Sequence, residues 1–278
     1  MKKKDKLSLV LALIMIICFG FMQTCIKTDA ENYEAVSSDA ADKKLSDLTL
    51  EDVKGFDGDS YTDYTTLNDG EPYFSDDEIT KAKQGSFADY EGLDALGRAN
   101  GVIASINYDD LPTGERNDSD ALHNIRPAGW NQVKYGSEYI EGEYLYNRSH
   151  ALMYALGGET SERNIFTGTR YLNASLMLPY EEEALSYVKS DKNGRLLYRV
   201  TPIYEGENLV PSGVLMEALS LDCVRLDKED GTSLKYCVYM PNIQPGINID
   251  YSDGSSHLIE DYDGEYMVSS YYSSSSKK

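Results

Sequence analysis

Three side chains near the middle of the sequence could do chemistry: His150, which closes the stretch "YLYNRSH", and two asparagines further on, Asn164 and Asn173. A neutral imidazole can take a proton from water, a general-base contribution of about 10²- to 10⁴-fold in rate. An amide oxygen is a hard, uncharged donor suited to Mg²⁺, an ion that keeps several waters and takes phosphate oxygens as further ligands. A cation held in this way stabilises charge on a crowded phosphate and on its leaving oxygen. One base and one metal-holding amide are therefore sufficient parts for hydrolysing a phosphodiester, provided the chain brings them together. The same residues also fit a structural role, since a single histidine after a tyrosine-rich strand can be a satisfied packing residue and asparagines are common in turns. Their order along the chain does not choose between the two.

The elements that must position them can be read from the surrounding pattern. "YIEGEYLYNRSH" alternates around a glycine and suits a strand ending at His150; "ETSERNIFTGT" reads as a loop, and "RYLNASLM" has helical character. Pro179 suits the first turn of a new helix, "PYEEEALSYVKS", whose leading glutamates complement a helix N-terminal dipole. With that proline between them, Asn173 and Glu181 are not assigned to one uninterrupted helix. Upstream, "YEGLDALGRANGVIASINYD" runs from a short helix or turn into a strand. Downstream, "RLLYRVTPIYE", "LVPSGVLMEALSL" and "LKYCVYMPNI" are strands broken by Pro, Gly and Asn. The mixture predicts an α+β fold with a central antiparallel sheet carrying helices.

The chain has 278 residues, 41% of them apolar, which is enough for a real core. Its first 30 residues place a lysine cluster before an apolar run from Leu7 to about Met22 and small residues at Thr28 and Ala30. That is the layout of a secretory signal peptide, with a run nearly long enough to stay as a membrane anchor. Residues 31–56 read as an acidic linker, 57–251 as one domain, and 252–278 as a Ser/Tyr-rich disordered tail. Beyond the leader the only cysteines are Cys223 and Cys237, on the arms of an expected hairpin, where either a disulfide or two packed thiols would fit. The formal charge is −21, awkward for a chain that must hold phosphates, but the acid is uneven. Residues 31–78 carry fifteen Asp/Glu against three Lys, whereas 126–200 carry nine acids and nine bases. The region around His150 is thus locally neutral.

The stretch "YLYNRSHALMYALGGETSERNIFTGTRYLNASLMLPYEE" resembles the motif block of the DNA/RNA non-specific endonucleases of the ββα-metal, or His-Me finger, superfamily, and in particular the secreted bacterial DNA-entry nuclease group. In those enzymes a D-R-G-H or N-R-x-H motif is followed by two asparagines nine residues apart and a glutamate eight residues after the second. Here Asn147, Arg148 and His150 are followed by Asn164, Asn173 and Glu181. "NDGEPYFSDDEIT", "RPAGW", "LLYRVTPIYEGENLVPSGVLMEA" and "NIQPGINIDY" extend the likeness over roughly residues 57–251.

The resemblance implies a ββα-metal finger active site and hydrolysis of DNA and RNA to 5′-phosphate ends. It implies Mg²⁺ as cofactor, with Mn²⁺ able to substitute. His150 is similar to the base, Asn173 to the direct metal ligand, Asn164 to the asparagine that orients base and loop, and Glu181 to the carboxylate that holds metal-bound waters. Arg148 follows the motif arginine and is expected mainly to brace the loop; Arg116 is the candidate phosphate-stabilising arginine. Asn147 and Ser149 depart from the commoner acid and Gly or Cys.

Substrate capture is expected through a local patch of Arg126, Lys134, Arg163, Arg170, Arg195 and Arg199, with Trp130 a packing anchor and His123 and His257 solvated. The partners implied are DNA and RNA, with membrane anchorage through residues 1–30 if the leader is retained and no obligate protein partner. The alternative reading is a cell-surface nucleic-acid receptor for DNA uptake in which cleavage is weak or lost.

Overall fold

Strands that read as nearly unbroken apolar runs are those covered on both faces, and this chain builds its sheet from four of them. The computed structural model describes residues 64–114, 119–221 and 233–260. Its fold is α+β. Six antiparallel strands lie in the order β1 (Thr65–Thr66), β8 (Lys235–Pro241), β7 (Gly213–Ser220), β6 (Arg195–Ile203), β3 (Val102–Asn107) and β2 (Phe87–Tyr90). The β6/β7 register pairs Leu196 with Ser220 and Ile203 with Gly213, and β7/β8 pairs Gly213 with Pro241.

Because side chains alternate across a strand, each strand feeds two cores. Val102, Ala104, Tyr198, Val200, Val214, Met216 and Val238 face one side, where Leu172, Leu176, Met177, Ala184 and Val188 of a long helix cover them. Ile103, Leu197 and Leu219 face the other side and meet Ala82 and Ile79 of α1 (Asp76–Gln84). Helix α1 begins with a capping box: Glu78 N donates to Ser75 Oγ at 3.2 Å and Ser75 N to Glu78 Oε2 at 2.8 Å.

Two smaller pairings stand apart from the sheet. One is the hairpin of β4 (Tyr146–His150) and β5 (Ile165–Thr169), so "IFTGT" is a strand where a loop was expected. The other joins β9 (Ile247–Ile249) to β10 (Ser256–Leu258), and it places folded chain beyond residue 251, the boundary drawn for the tail. The reason lies at the turn between them. Gly254 adopts φ +81° and donates its N–H to Asp250 O at 2.8 Å, and an added Cβ would sit 1.9 Å from Gly129 O. Gly254 O in turn accepts from Tyr146 Oη at 2.9 Å, so the segment is fastened to β4. Its residues face the small core of Ile140, Leu145, Tyr146, Ile247 and Ile249. A short helix, α2 (Ser119–Asn124), precedes β4.

Pro179 lies within a continuing helix. The π-helical segment Leu172–Met177 runs straight into α3 (Leu178–Ser190), with Met177 and Leu178 both in right-handed helical conformation, so no new helix starts at Pro179. Proline has no N–H to give and its ring crowds the preceding turn. The wider π turns before it are a known way to relieve such a conflict without ending a helix. The glutamates after Pro179 therefore do not sit at a free N-terminus.

Candidate active site

His150 is the last residue of β4 and lies opposite Ile165, the first of β5. The hairpin closes tightly because Gly168 faces Ser149: a Cβ there would fall 2.3 Å from Ser149 Oγ. Ser149 Oγ is itself buried without a hydrogen-bond partner among the described residues. Immediately after His150 the chain is clamped by Asn164, which is fully buried. Its Oδ1 accepts from Leu152 N at 2.8 Å, its Nδ2 donates to Leu152 O at 2.9 Å and Glu159 O at 2.7 Å, and its carbonyl accepts from Ala151 N at 2.8 Å. The Asn164 amide is thus engaged in holding the loop that leaves His150.

The helix that carries Asn173 is aimed by residues from the end of β8. Asn242, fully buried, accepts from Thr169 N at 2.8 Å and donates to Thr167 O at 3.0 Å and Pro211 O at 2.9 Å. Thr169 Oγ then accepts from Leu172 N at 2.9 Å, and Gln244 Oε1 from Tyr171 N at 3.0 Å. Asn242 and Gln244 were not singled out in the sequence, where "PNIQPG" reads only as a turn. Two antiparallel strands followed by a helix, seated by these amides, bring His150 and Asn173 to one cleft of about 840 Å³.

Arg148, Arg126, His123 and Trp130 line the same cleft. Arg148 Nε and Nη2 donate to Ile125 O at 2.7 Å and His123 O at 2.9 Å, and its guanidinium lies 4.3 Å over the Trp130 ring. Partial burial, and then the charge of Arg126, pull the Arg148 pKa below its ordinary value. The expected six-residue patch does not form. Lys134 pairs with Glu143, Arg163 with Glu159 and Arg170 with Glu141, and Arg199 is buried with Glu217. Arg195 Nη1 donates to Ser86 and Ser105, and of the six only Arg126 lines the cleft. In an acidic chain most surface cations find a carboxylate. Arg116 lies outside the described residues, as does Cys223; Cys237 is a buried free thiol.

Glu181 is not among the residues lining the cleft. It is 8% exposed, and burial, reinforced by the neighbouring Glu182 charge, pushes its pKa up to about 8. Between about pH 4.5 and 8 the folded chain thus keeps a proton that the unfolded chain has released, so stability falls with rising pH across that window. Glu181→Gln should remove this slope, gaining on the wild type by a few kcal/mol between pH 5 and pH 8. Thermal unfolding in EDTA at the two pH values measures it; parallel melting curves would refute the burial argument.

Among the described residues no three His, Cys, Asp or Glu gather as a metal cage. The cleft is lined instead by the amides of Gln132, Asn147 and Asn173 and the imidazoles of His123 and His150, with the Gln132 amide bonded to the Tyr146 backbone. This donor set fits a hard divalent ion that keeps most of its waters, and not a thiolate or polyhistidine metal site.

A sheet with a hairpin-plus-helix site of this composition defines a class, and the comparisons identify it. Residues 77–221, slightly more than half of the chain, match the DNA/RNA non-specific endonuclease family, and the chain belongs to that family of nucleases. A deoxyribonuclease of Streptococcus dysgalactiae subsp. equisimilis is 29% identical over 123 residues, covering 43% of this chain and 34% of the relative, so the match spans about a third of that relative's length. The crystal structure of NucA from Streptococcus agalactiae with magnesium bound shares the fold, with TM-score 0.58 and 24% identity over 71% of this chain and 87% of that one. The Sda1 nuclease structure with a bound zinc ion gives TM-score 0.52 and 26% identity, covering 62% and 80%.

Proposed function

We propose that the protein is an extracellular, Mg²⁺-dependent endonuclease that hydrolyses phosphodiester bonds of DNA and RNA without sequence preference and leaves 5′-phosphate ends. The observation that carries this reading is the delivery of His150, from the end of a strand, and Asn173, from the following helix, to one open cleft. His150, neutral, would take the proton of a water as that water attacks phosphorus opposite the 3′ oxygen. The Asn173 amide oxygen would hold the cation, for which Mn²⁺ could stand in. When bound, the ion supplies charge stabilisation on the phosphate and the leaving oxygen. Asn164 keeps the loop behind His150 closed, and Arg148 ties β4 to the carbonyls of 123 and 125. Glu181, if it is to hold waters of the ion, must ionise, which would couple metal binding to the buried carboxyl. Lack of base contacts would give sequence tolerance, since phosphate contacts carry no base information.

In the same reading residues 1–30 direct secretion or anchor the chain, 31–56 form an acidic spacer, and the nuclease domain starts near residue 57. The test is cleavage of plasmid and single-stranded DNA and RNA by residues 31–278. Cutting in Mg²⁺ and Mn²⁺ that stops in EDTA is the expected result. Binding without cutting under any divalent ion would favour the nucleic-acid receptor instead.

A further inference from the structure

Arginines of this acidic chain commonly have a carboxylate: Arg98 pairs with Asp94, Arg163 with Glu159, Arg170 with Glu141 and Arg199 with Glu217. Arg126 and Arg148 have none among the described residues. Both donate to the same two backbone carbonyls. Arg148 reaches Ile125 O at 2.7 Å and His123 O at 2.9 Å; Arg126 Nη1 reaches them at 3.1 and 2.6 Å. Two like charges are thus gathered beside one another in the cleft, which is unfavourable unless an anion joins them. The Arg126 charge, together with partial burial, is what depresses the Arg148 pKa. A guanidinium has donors on all three nitrogens, so Arg148 Nη1 and Arg126 Nε and Nη2 are left over after the carbonyls are served.

Their location says which anion. Arg148 precedes His150 by two residues on β4, so the two side chains leave the same face of the strand, about 6.6 Å apart along it. That is close to the step between consecutive phosphates of a nucleic-acid strand. The Trp130 ring beneath Arg148 fixes the plane of the guanidinium. We propose that Arg126 and Arg148 form a phosphate subsite that takes the non-bridging oxygens of the phosphodiester next to the one presented to His150. A polynucleotide is then the preferred substrate over an isolated phosphodiester. The choice of neighbouring phosphate rests on the nuclease reading; phosphate binding itself does not.

The experiment compares full-length wild type, Arg126→Gln and Arg126→Lys. Binding of a fluorescent single-stranded oligonucleotide is measured in EDTA over a salt series. Arg126→Gln should weaken binding roughly tenfold and flatten the log–log salt slope by about 0.7, the share of one phosphate on a single strand. Arg126→Lys should restore the slope but only part of the affinity, because it keeps the charge and loses the fork. In Mg²⁺, kcat/KM of Arg126→Gln should fall further on the oligonucleotide than on bis(p-nitrophenyl) phosphate, which has one phosphodiester. An unchanged salt slope, no binding by wild type, or equal losses on the two substrates would overturn the subsite. A wild type that binds but cuts neither substrate would sink the nuclease reading while the binding comparison still decides the subsite.

Discussion

Glu217→Ala should destabilise the fold by about 3–5 kcal/mol, the usual result of removing one partner from a buried ion pair. Glu217 is fully buried in the middle of β7 and accepts from Arg199 Nε at 2.5 Å, Arg199 Nη2 at 2.9 Å and Tyr73 N at 2.6 Å. Arg199 also donates to Glu78 Oε1 at 3.1 Å and lies 4.6 Å over the Phe74 ring, so the pair ties α1 and its leading loop to the sheet. Burial pulls the Arg199 pKa down, but the charge and hydrogen bonds of Glu217, with Glu78 behind them, outweigh burial and hold it above its ordinary value. Without Glu217 the guanidinium keeps only the half-exposed Glu78, and the Tyr73 N–H loses its acceptor. A loss of this size should lower the melting temperature by roughly 10 °C for a domain of this length. The double change Arg199→Met with Glu217→Leu should recover most of it, since well-packed apolar side chains can replace a buried pair at little cost. Thermal unfolding of the three variants makes the test, and a single variant that melts with wild type would refute it. The pair sits on the α1 side of the sheet, away from the helix that carries Asn173, so nuclease activity per folded molecule should be kept.

This pair shows where reading the sequence stops. Local patterns sufficed for β6, β7 and β8, because Val, Leu and Tyr in unbroken runs between Gly and Pro turns have few alternatives to a buried strand, and alternation marked β4. Arg199 sits inside such a run and reads as a surface cation; only the register that pairs it with Glu217 gives it a place. Helix α1 is marked in the sequence only by the capping-box signature of Ser75 and Glu78. Strand β5 reads as a loop because Gly168 and its threonines look turn-like, whereas the glycine lets Ser149 close in.

At the site, spacing located His150 and Asn173, and the structure puts both in one cleft. It could not show that Glu181 turns inward, because that depends on the helix continuing through Pro179 by a π segment. His123 lies in the last turn of a short helix that stops at Asn124, and Arg126 lies just beyond it. Their shared link to Arg148 runs through backbone carbonyls, which no side-chain pattern reveals.

His150→Gly should cut kcat by about 10²- to 10⁴-fold while leaving the fold and oligonucleotide affinity nearly unchanged. The fold should survive because two other features hold this corner. Asn164 clamps the loop through Leu152 and Glu159, and the β4/β5 ladder continues from Tyr146 to His150 through main-chain bonds. Affinity should survive because the cations of the cleft are Arg126 and Arg148. A glycine also leaves a space of the right shape, so added imidazole should restore part of the lost rate. Rescue separates the two roles that the sequence allowed. A structural histidine would, when removed, lower the melting temperature and weaken binding, and free imidazole would not mend either. A base would lose rate alone, and the rescued rate should rise with pH as the added imidazole becomes neutral. Measuring kcat from pH 5 to 8 for wild type, and for His150→Gly with and without imidazole, makes the comparison. Unrescued loss together with a lowered melting temperature would return His150 to the structural role and leave the cleft a place for binding only.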